Sequence, residues 1–209
     1  METGAIVERE ARQLRRLETL IDVVYALAIV RLFSHLPIPN KAEWTWDSVG
    51  HFLVDNIGLL ATLFIGITLI SIYWIQNNSL FGNLVRTDNQ HAVISIFQLA
   101  FLLLYLYSVG LGIDFKGDRF ALAMQSVTLA LVGFCSVVAW HHARKNRLLI
   151  SDELSDEDAR EIHGRIMVEP VSAMITLPCA FISPVVWELA WLVYPATLLV
   201  IRKVRGGKK

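Results

Sequence analysis

Charge is what this sequence has little of. Asp, Glu, Lys and Arg make up 18% of its 209 residues, against about a quarter in a soluble domain. The 19 basic residues balance the 19 acidic ones, so no net field draws the chain to nucleic acid or to an acidic partner. There are only two cysteines, Cys135 and Cys179, both in apolar runs. They read as packing residues and say little about redox compartment. His141-His142 has no spaced Cys, His or carboxylate partners, so it reads as a wet helix end and no metal is expected. "EIHGR" lacks metalloprotease spacing, and no nucleotide loop, nucleophile triad or haem motif is present. The expectation is a chain that is not an enzyme and carries no cofactor. No cleavable signal peptide is expected either, because the first sixteen residues are polar and basic and the next run is of full spanning length.

What is abundant is apolar. Hydrophobic residues are 55% of the chain, gathered in runs near the length that crosses a bilayer. Six spans are expected, at about 17–36, 49–75, 91–112, 119–140, 164–182 and 184–201. The fold class expected is therefore all-α, a polytopic membrane protein with six transmembrane helices and no soluble domain. Its division is a cytoplasmic N-terminal segment at 1–16, a transmembrane domain at 17–203 and a cytoplasmic tail at 204–209. Ser155 and Asp158 have capping-box spacing, and Ser183-Pro184 reads as an N-cap followed by proline at the first helical position. Pro170, Pro178 and Pro195 fall inside spans and should bend them. With six spans, fifteen of the 19 Lys and Arg residues fall on the side of the termini. The positive-inside rule then makes that side cytoplasmic.

Two charges break the first span. A charged side chain in hydrocarbon costs several kcal/mol, about 2.5–3.5 on insertion scales. At 100° per residue, Arg31 lies about 40° and Ser34 about 20° from Leu27, while Asp22 lies about 140° away. Leu20, Leu27, Arg31 and Ser34 thus share one stripe, and Asp22 faces neighbouring helices. If the stripe lines an axis, Leu27 forms an apolar constriction and Arg31 a charged ring one turn outward. The alternative for Arg31 is to snorkel to the outer interface, about 7.5 Å away. A buried ion pair or hydrogen-bond network is the expected fate of Asp22. Gln98 and Gln125 should make interhelical hydrogen bonds, and Glu169 has Arg165 as its i,i+4 partner. Glu188 is a further polar position in or near a span.

The residues also carry a resemblance. Arg16, then Leu20-Ile21-Asp22-Val23 and Val24-Tyr25-Ala26-Leu27, repeat the frame of the first-helix motif of the transmembrane protein 175 family of potassium channels. "YWIQNNSLF", with Tyr73, Trp74, Asn77, Asn78, Leu80 and Phe81, resembles the end of that family's second helix. Arg86 and Asp88 match the Arg-x-Asp that follows it, and "FISPVVWELAWLVYPA" its last hairpin. The likeness runs from about 15 to 205 and is to the single-repeat prokaryotic form. It implies four six-helix subunits, a homotetramer in the lipid bilayer of the bacterial inner membrane, passing potassium or other monovalent ions. It further implies a pore lined by first helices, with Leu27 at the constriction position and Arg31 and Ser34 outward of it. Arg16, Asp22, Trp74, Asn77 and Asn78 would form a polar network behind the pore. The departures are Ile21 and Val23 in place of Ser and Gly, asparagines in place of two histidines, and Arg31 in place of an aliphatic residue. Two other readings stay open on the residues alone: a non-conducting or anion-favouring protein that keeps the fold, and a transporter or intramembrane enzyme using Asp22 and Glu169.

Overall fold

The long apolar runs do become helices, and polar residues set where most of them start. In the computed structural model, residues 2–39 and 45–198 are described. The order is α1 (Glu2–Phe33), α2 (Trp46–Asp55), α3 (Ile57–Phe81), α4 (Asn89–Asp114), α5 (Arg119–Arg144), a 3-10 turn (Lys145–Arg147), α6 (Asp156–Ile166), α7 (Val168–Cys179) and α8 (Pro184–Ala190). Asp88 caps α4 by accepting the His91 N–H at 2.8 Å. Asp118 caps α5 through the N–H groups of Phe120 and Ala121. The Ser155 cap of α6 and the Ser183-Pro184 start of α8 stand where expected. The turn from α4 to α5 places Lys116 and Gly117 at positive φ, 51° and 77°, which glycine adopts freely and lysine rarely.

The spans differ from expectation in instructive ways. The first helix does not begin near residue 17: it runs from Glu2, and its last turn is closed by Ser34, His35 and Leu36 ahead of Pro37. The run expected at 49–75 is two helices. Asn56 leaves helical geometry, and its side chain donates to the Phe52 carbonyl at 2.8 Å, so the spanning piece is α3. The run at 164–182 breaks at Met167 into α6 and α7, next to Pro170, which has no N–H to give. The sixth run stops at Ala190 and resumes as helix at 193–198. Pro195 cannot donate to the Trp191 carbonyl, and Tyr194 takes it instead at 3.1 Å. Residues 199–209, with the end of that span and the tail, lie outside the described residues, as do Met1 and 40–44. By length and composition α3, α4 and α5 can each cross a membrane unbroken. Among the described residues no other helix meets that measure: α1 carries charge, and the runs expected as fifth and sixth spans are broken into α6, α7, α8 and the helix at 193–198. The chain is an all-α integral membrane protein.

The core forms on α5, whose inner face is mostly small: Ala121, Ser126, Ala130, Gly133, Ser136 and Ala139 are buried. Apolar side chains gain little by leaving lipid for protein, so close approach and dispersion hold such helices together. Gly133 marks the tightest approach. A Cβ there would sit 2.7 Å from Pro170 Cδ and 2.9 Å from its nitrogen. Trp187 Nε1 donates to Ser126 Oγ, which shares a second bond with Thr176 Oγ1, both 2.9 Å; this ties α8, α5 and α7 together. α1 lies on α3 and α4 through Leu14, Leu17, Ile21, Tyr25, Ala28 and Leu32. Their spacing of three and four residues makes one stripe along the helix.

Candidate functional site: the uncovered face of the first helix

One stripe of α1 is buried, and the opposite one is left open by the described residues. Leu27 is 60% exposed, and Leu20, Val23 and Val30 share its face. Tyr25 and Leu32, about half a turn away, are 1% and 0% exposed. Arg31 and Ser34 lie on the open side and bond each other. Arg31 Nη1 donates to Ser34 Oγ at 2.8 Å, and Ser34 Oγ donates to the Arg31 carbonyl at 2.6 Å. No carboxylate pairs with Arg31 among the described residues. Leu27, Arg31 and Ser34 therefore share an open surface of aliphatic side chains crossed by one guanidinium.

Behind this surface the polar residues meet in two small groups. Trp74 Nε1 on α3 donates to Asp22 Oδ1 at 2.9 Å. Asp22 is half-buried at the edge of the packed stripe; this partner is a neutral donor, and among the described residues Asp22 makes no ion pair. Asn77, 3% exposed, accepts from Gln98 Nε2 at 3.3 Å, and the same amide approaches the Tyr25 hydroxyl at 3.5 Å. α1, α3 and α4 are joined there. Two of the five expected network residues stay outside. Arg16 is exposed, about 20° from Leu27 on the open face. Asn78 is partly buried, and no hydrogen bond links its side chain to Asp22, Trp74 or Asn77 among the described residues. Tyr25 and Gln98 belong to the group and were not foreseen as site residues. Their signal in the sequence was a tyrosine and a glutamine on the packed faces of apolar helices.

The remaining polar expectations divide. Gln98 bonds between helices as above, and Gln125 Nε2 donates to the Ser108 carbonyl of α4 at 3.3 Å. Glu188 accepts from Thr62 Oγ1 on α3 at 2.9 Å. The Glu169–Arg165 pair does not form. Arg165 bonds Glu161 within α6, and Glu169 lies in α7 beyond the turn at Met167. Glu169 is buried at 1% exposure, and its Oε1 has no hydrogen-bond partner among the described residues.

At the end where α3 leaves the bundle, Arg86 and Asp88 brace the loop before α4. Arg86 Nη1 pairs with Glu10 of α1 at 3.5 Å, and its Nε donates to the Leu148 carbonyl at 3.0 Å. Asp88 takes the His142 Nε2–H at 2.8 Å besides the His91 N–H. Burial opposes its charge, but these hydrogen bonds and the nearby histidines hold its carboxyl below the usual range. Among the described residues no group of His, Cys, Asp and Glu is arranged to hold a metal ion.

Comparison with known proteins bears on this geometry. The sequence pattern of the family described as endosomal/lysosomal potassium channel TMEM175 matches residues 16–105, which hold the whole of the open α1 stripe, the Trp74–Asp22 bond and the Asn77–Gln98–Tyr25 group. No curated protein matches the chain by sequence. Among solved structures, a lysosomal potassium-selective channel TMEM175 homologue from Chamaesiphon minutus superposes with a TM-score of 0.72, at 16% identity, over 90% of this chain and 97% of that one. The potassium channel MtTMEM175, crystallised as a variant with a nanobody–MBP fusion, gives 0.60 at 16% identity over 93% and 94%. The fold is thus shared with these two channels along nearly the full length of the chain, and the TMEM175 family's sequence pattern matches the part of the chain that carries the site.

Proposed function

We propose that this chain is the subunit of a potassium-permeable cation channel, a homotetramer in which four α1 helices line a central pore. The observation that carries the reading is the uncovered Leu27 stripe on α1, opposite the packed stripe. An aliphatic face of that length on a helix crossing the bilayer must meet lipid, another subunit or a pore. Arg31 and Ser34 on the same face favour water there over lipid, since charge in hydrocarbon is costly. In the proposed channel the ring of Leu27 side chains is the constriction. It offers a permeating ion no ligand, so it limits flow by width and by dewetting. Asp22 with Trp74, and Asn77 with Gln98 and Tyr25, hold α1 at a fixed rotation against α3 and α4. That rotation decides which residues face the axis. The placement proposed is a bacterial inner membrane with both termini cytoplasmic, supported by the fifteen basic residues on that side.

Arg31 supports a second reading of the same pore. With no acidic partner among the described residues, four such guanidinium groups near the axis would repel cations and favour anions or silence. The deciding experiment is a planar-bilayer recording of the purified protein in asymmetric potassium chloride. A reversal potential displaced toward the potassium equilibrium value supports the cation channel. Displacement toward the chloride value supports the arginine-ring anion path, and absence of current leaves a non-conducting member of the fold.

A further inference from the structure

Glu169 Oε1 is one of several buried polar atoms that stand without a hydrogen-bond partner among the described residues. Ser172 Oγ, one turn further along α7, is another, and the two residues are 1% and 0% exposed. Two more lie on other elements: Gln76 Oε1 of α3, and the indole Nε1 of Trp191, just beyond α8. These elements meet at Tyr194. Gln76 Nε2 donates to the Tyr194 hydroxyl at 2.5 Å, and Trp191 sits one turn earlier, with its carbonyl taking the Tyr194 N–H. The Glu169 carboxyl is near enough to act electrostatically on the hydroxyls of Tyr194 and Tyr73, and on that of Tyr25 on α1. Thus α3, α7 and the chain after α8 bring these atoms to one buried region.

Bare polar groups are costly where bulk water does not reach, and the rest of this interior avoids them. Trp187, one turn before Trp191, gives its indole N–H to Ser126 Oγ at 2.9 Å. Trp140 gives its own to the Ala159 carbonyl at 3.1 Å, and the Tyr73 hydroxyl donates to the Leu129 carbonyl at 2.9 Å. Where a protein partner is within reach, it is used. The four remaining atoms divide by chemistry. Glu169 Oε1 and Gln76 Oε1 accept, while the indole N–H only donates and the Ser172 hydroxyl can do either. A guest that satisfies all of them must both donate and accept. Water does this, and a buried water typically has about two to four polar partners. A bare metal ion does not, because it would leave the indole N–H facing positive charge.

We propose that Glu169, Ser172, Gln76 and Trp191 hold a small cluster of internal water molecules in the core of the subunit, between α3, α7 and the chain after α8. The site lies within one subunit and is independent of whether the protein conducts. The test is hydroxyl-radical footprinting by X-ray radiolysis of the purified full-length protein in detergent, read residue by residue by mass spectrometry. The radicals form from water, so a buried side chain is oxidised quickly only where water is held beside it. Trp191 and Tyr194 are 6% and 5% exposed, and Trp140 and Tyr105, each 1% exposed, serve as buried references of the same residue types. Trp191 and Tyr194 should be oxidised about tenfold faster than these references, since bound water is the local radical source. Glu169→Leu removes the acceptor and presents an apolar wall, so it should lower the labelling of Trp191 and Tyr194 several-fold and leave Trp140 unchanged. Glu169→Gln keeps an acceptor oxygen and should preserve the labelling. Should the Glu169 variants not fold, Ser172→Ala removes one of the four groups and should lower the labelling by about twofold. Labelling of Trp191 and Tyr194 no faster than that of the references, labelling unchanged in Glu169→Leu or in Ser172→Ala, or labelling lost in Glu169→Gln overturns the proposal.

Discussion

Asp22 and Trp74 offer the sharpest test of how α1 is held. Their bond is 2.9 Å long and joins a carboxylate to an indole N–H across α1 and α3. Removing one member of a buried ion pair costs about 3–5 kcal/mol, and that would be the expectation had Asp22 met a cation in the core. The structure gives a smaller figure. Asp22 is half-buried and Trp74 is 38% exposed, so each keeps part of its solvation when the other is lost. Measured hydrogen bonds between membrane helices average about 0.6 kcal/mol and reach about 1.7. A charged acceptor places this one in the upper half of that range, about 1–1.5 kcal/mol. The perturbation is a double-mutant cycle of Asp22→Asn, Trp74→Phe and the pair. The assay is reversible unfolding in mixed micelles, read by circular dichroism at fixed protein concentration. The coupling energy should fall near that value, and the single variants should keep the oligomeric state. A coupling indistinguishable from zero would refute the claim that this bond fixes α1. A coupling above about 3 kcal/mol would contradict the half-buried setting of the bond, because only a fully desolvated charged acceptor reaches that value.

Other consequences follow from named contacts. Gly133→Ala puts a methyl against the Pro170 ring and nitrogen at 2.7 and 2.9 Å, so it should destabilise the fold by about 1–3 kcal/mol through overpacking; unchanged stability in the same unfolding assay would mean that α5 and α7 are not so close. Leu27→Ala should raise potassium flux into liposomes and Leu27→Phe should lower it, and equal flux in both would put the constriction elsewhere. Because the folded Asp88 carboxyl lies below its ordinary value of 3.8, its contribution to stability is present above that pH and is lost as pH falls through the lower folded value. Thermal midpoints measured from pH 7 down to about 3 should fall less for Asp88→Asn than for the parent chain; parallel curves would contradict the Asp88–His142 brace.

What the sequence made legible follows from which interactions are local. The runs that became α3, α4 and α5 needed only length and apolarity, and the caps at Ser155 and Ser183 only a polar residue at the right offset. The break at Asn56 was hidden because apolar residues continue on both sides of it, so hydropathy stays high where the backbone turns. The Glu169–Arg165 pairing failed because Arg165 has a competing carboxylate one turn earlier, Glu161, and pairs with it instead. In the site, the stripe of Leu27, Arg31 and Ser34 came from helical period alone, and the structure places all three on the open side of α1. Asp22 with Trp74 could not come from period, since the residues are far apart in sequence; the family frame brought them together. That frame also proposed Arg16 and Asn78, which the structure leaves apart, and it was silent on Tyr25 and Gln98. Contacts between helices depend on rotation about each axis, and that rotation is set by packing such as Gly133 on Pro170.

The central claim is that the uncovered face of α1 lines the ion path, and Arg31 is the residue on which it can be tested most directly. A unit charge at about 4 Å acts on another with roughly 4 kcal/mol at an effective dielectric near 20, so even a fraction of that from four arginines would govern cation entry. The measurement is potassium flux into liposomes at matched protein density for the parent chain, Arg31→Leu and Arg31→Lys. If the face lines the path, Arg31→Leu raises potassium flux several-fold and Arg31→Lys leaves it low, because lysine keeps the charge. Equal flux in all three would mean that Arg31 lies at the outer headgroups with no part in permeation, and that the Leu27 face does not surround the ion path as proposed.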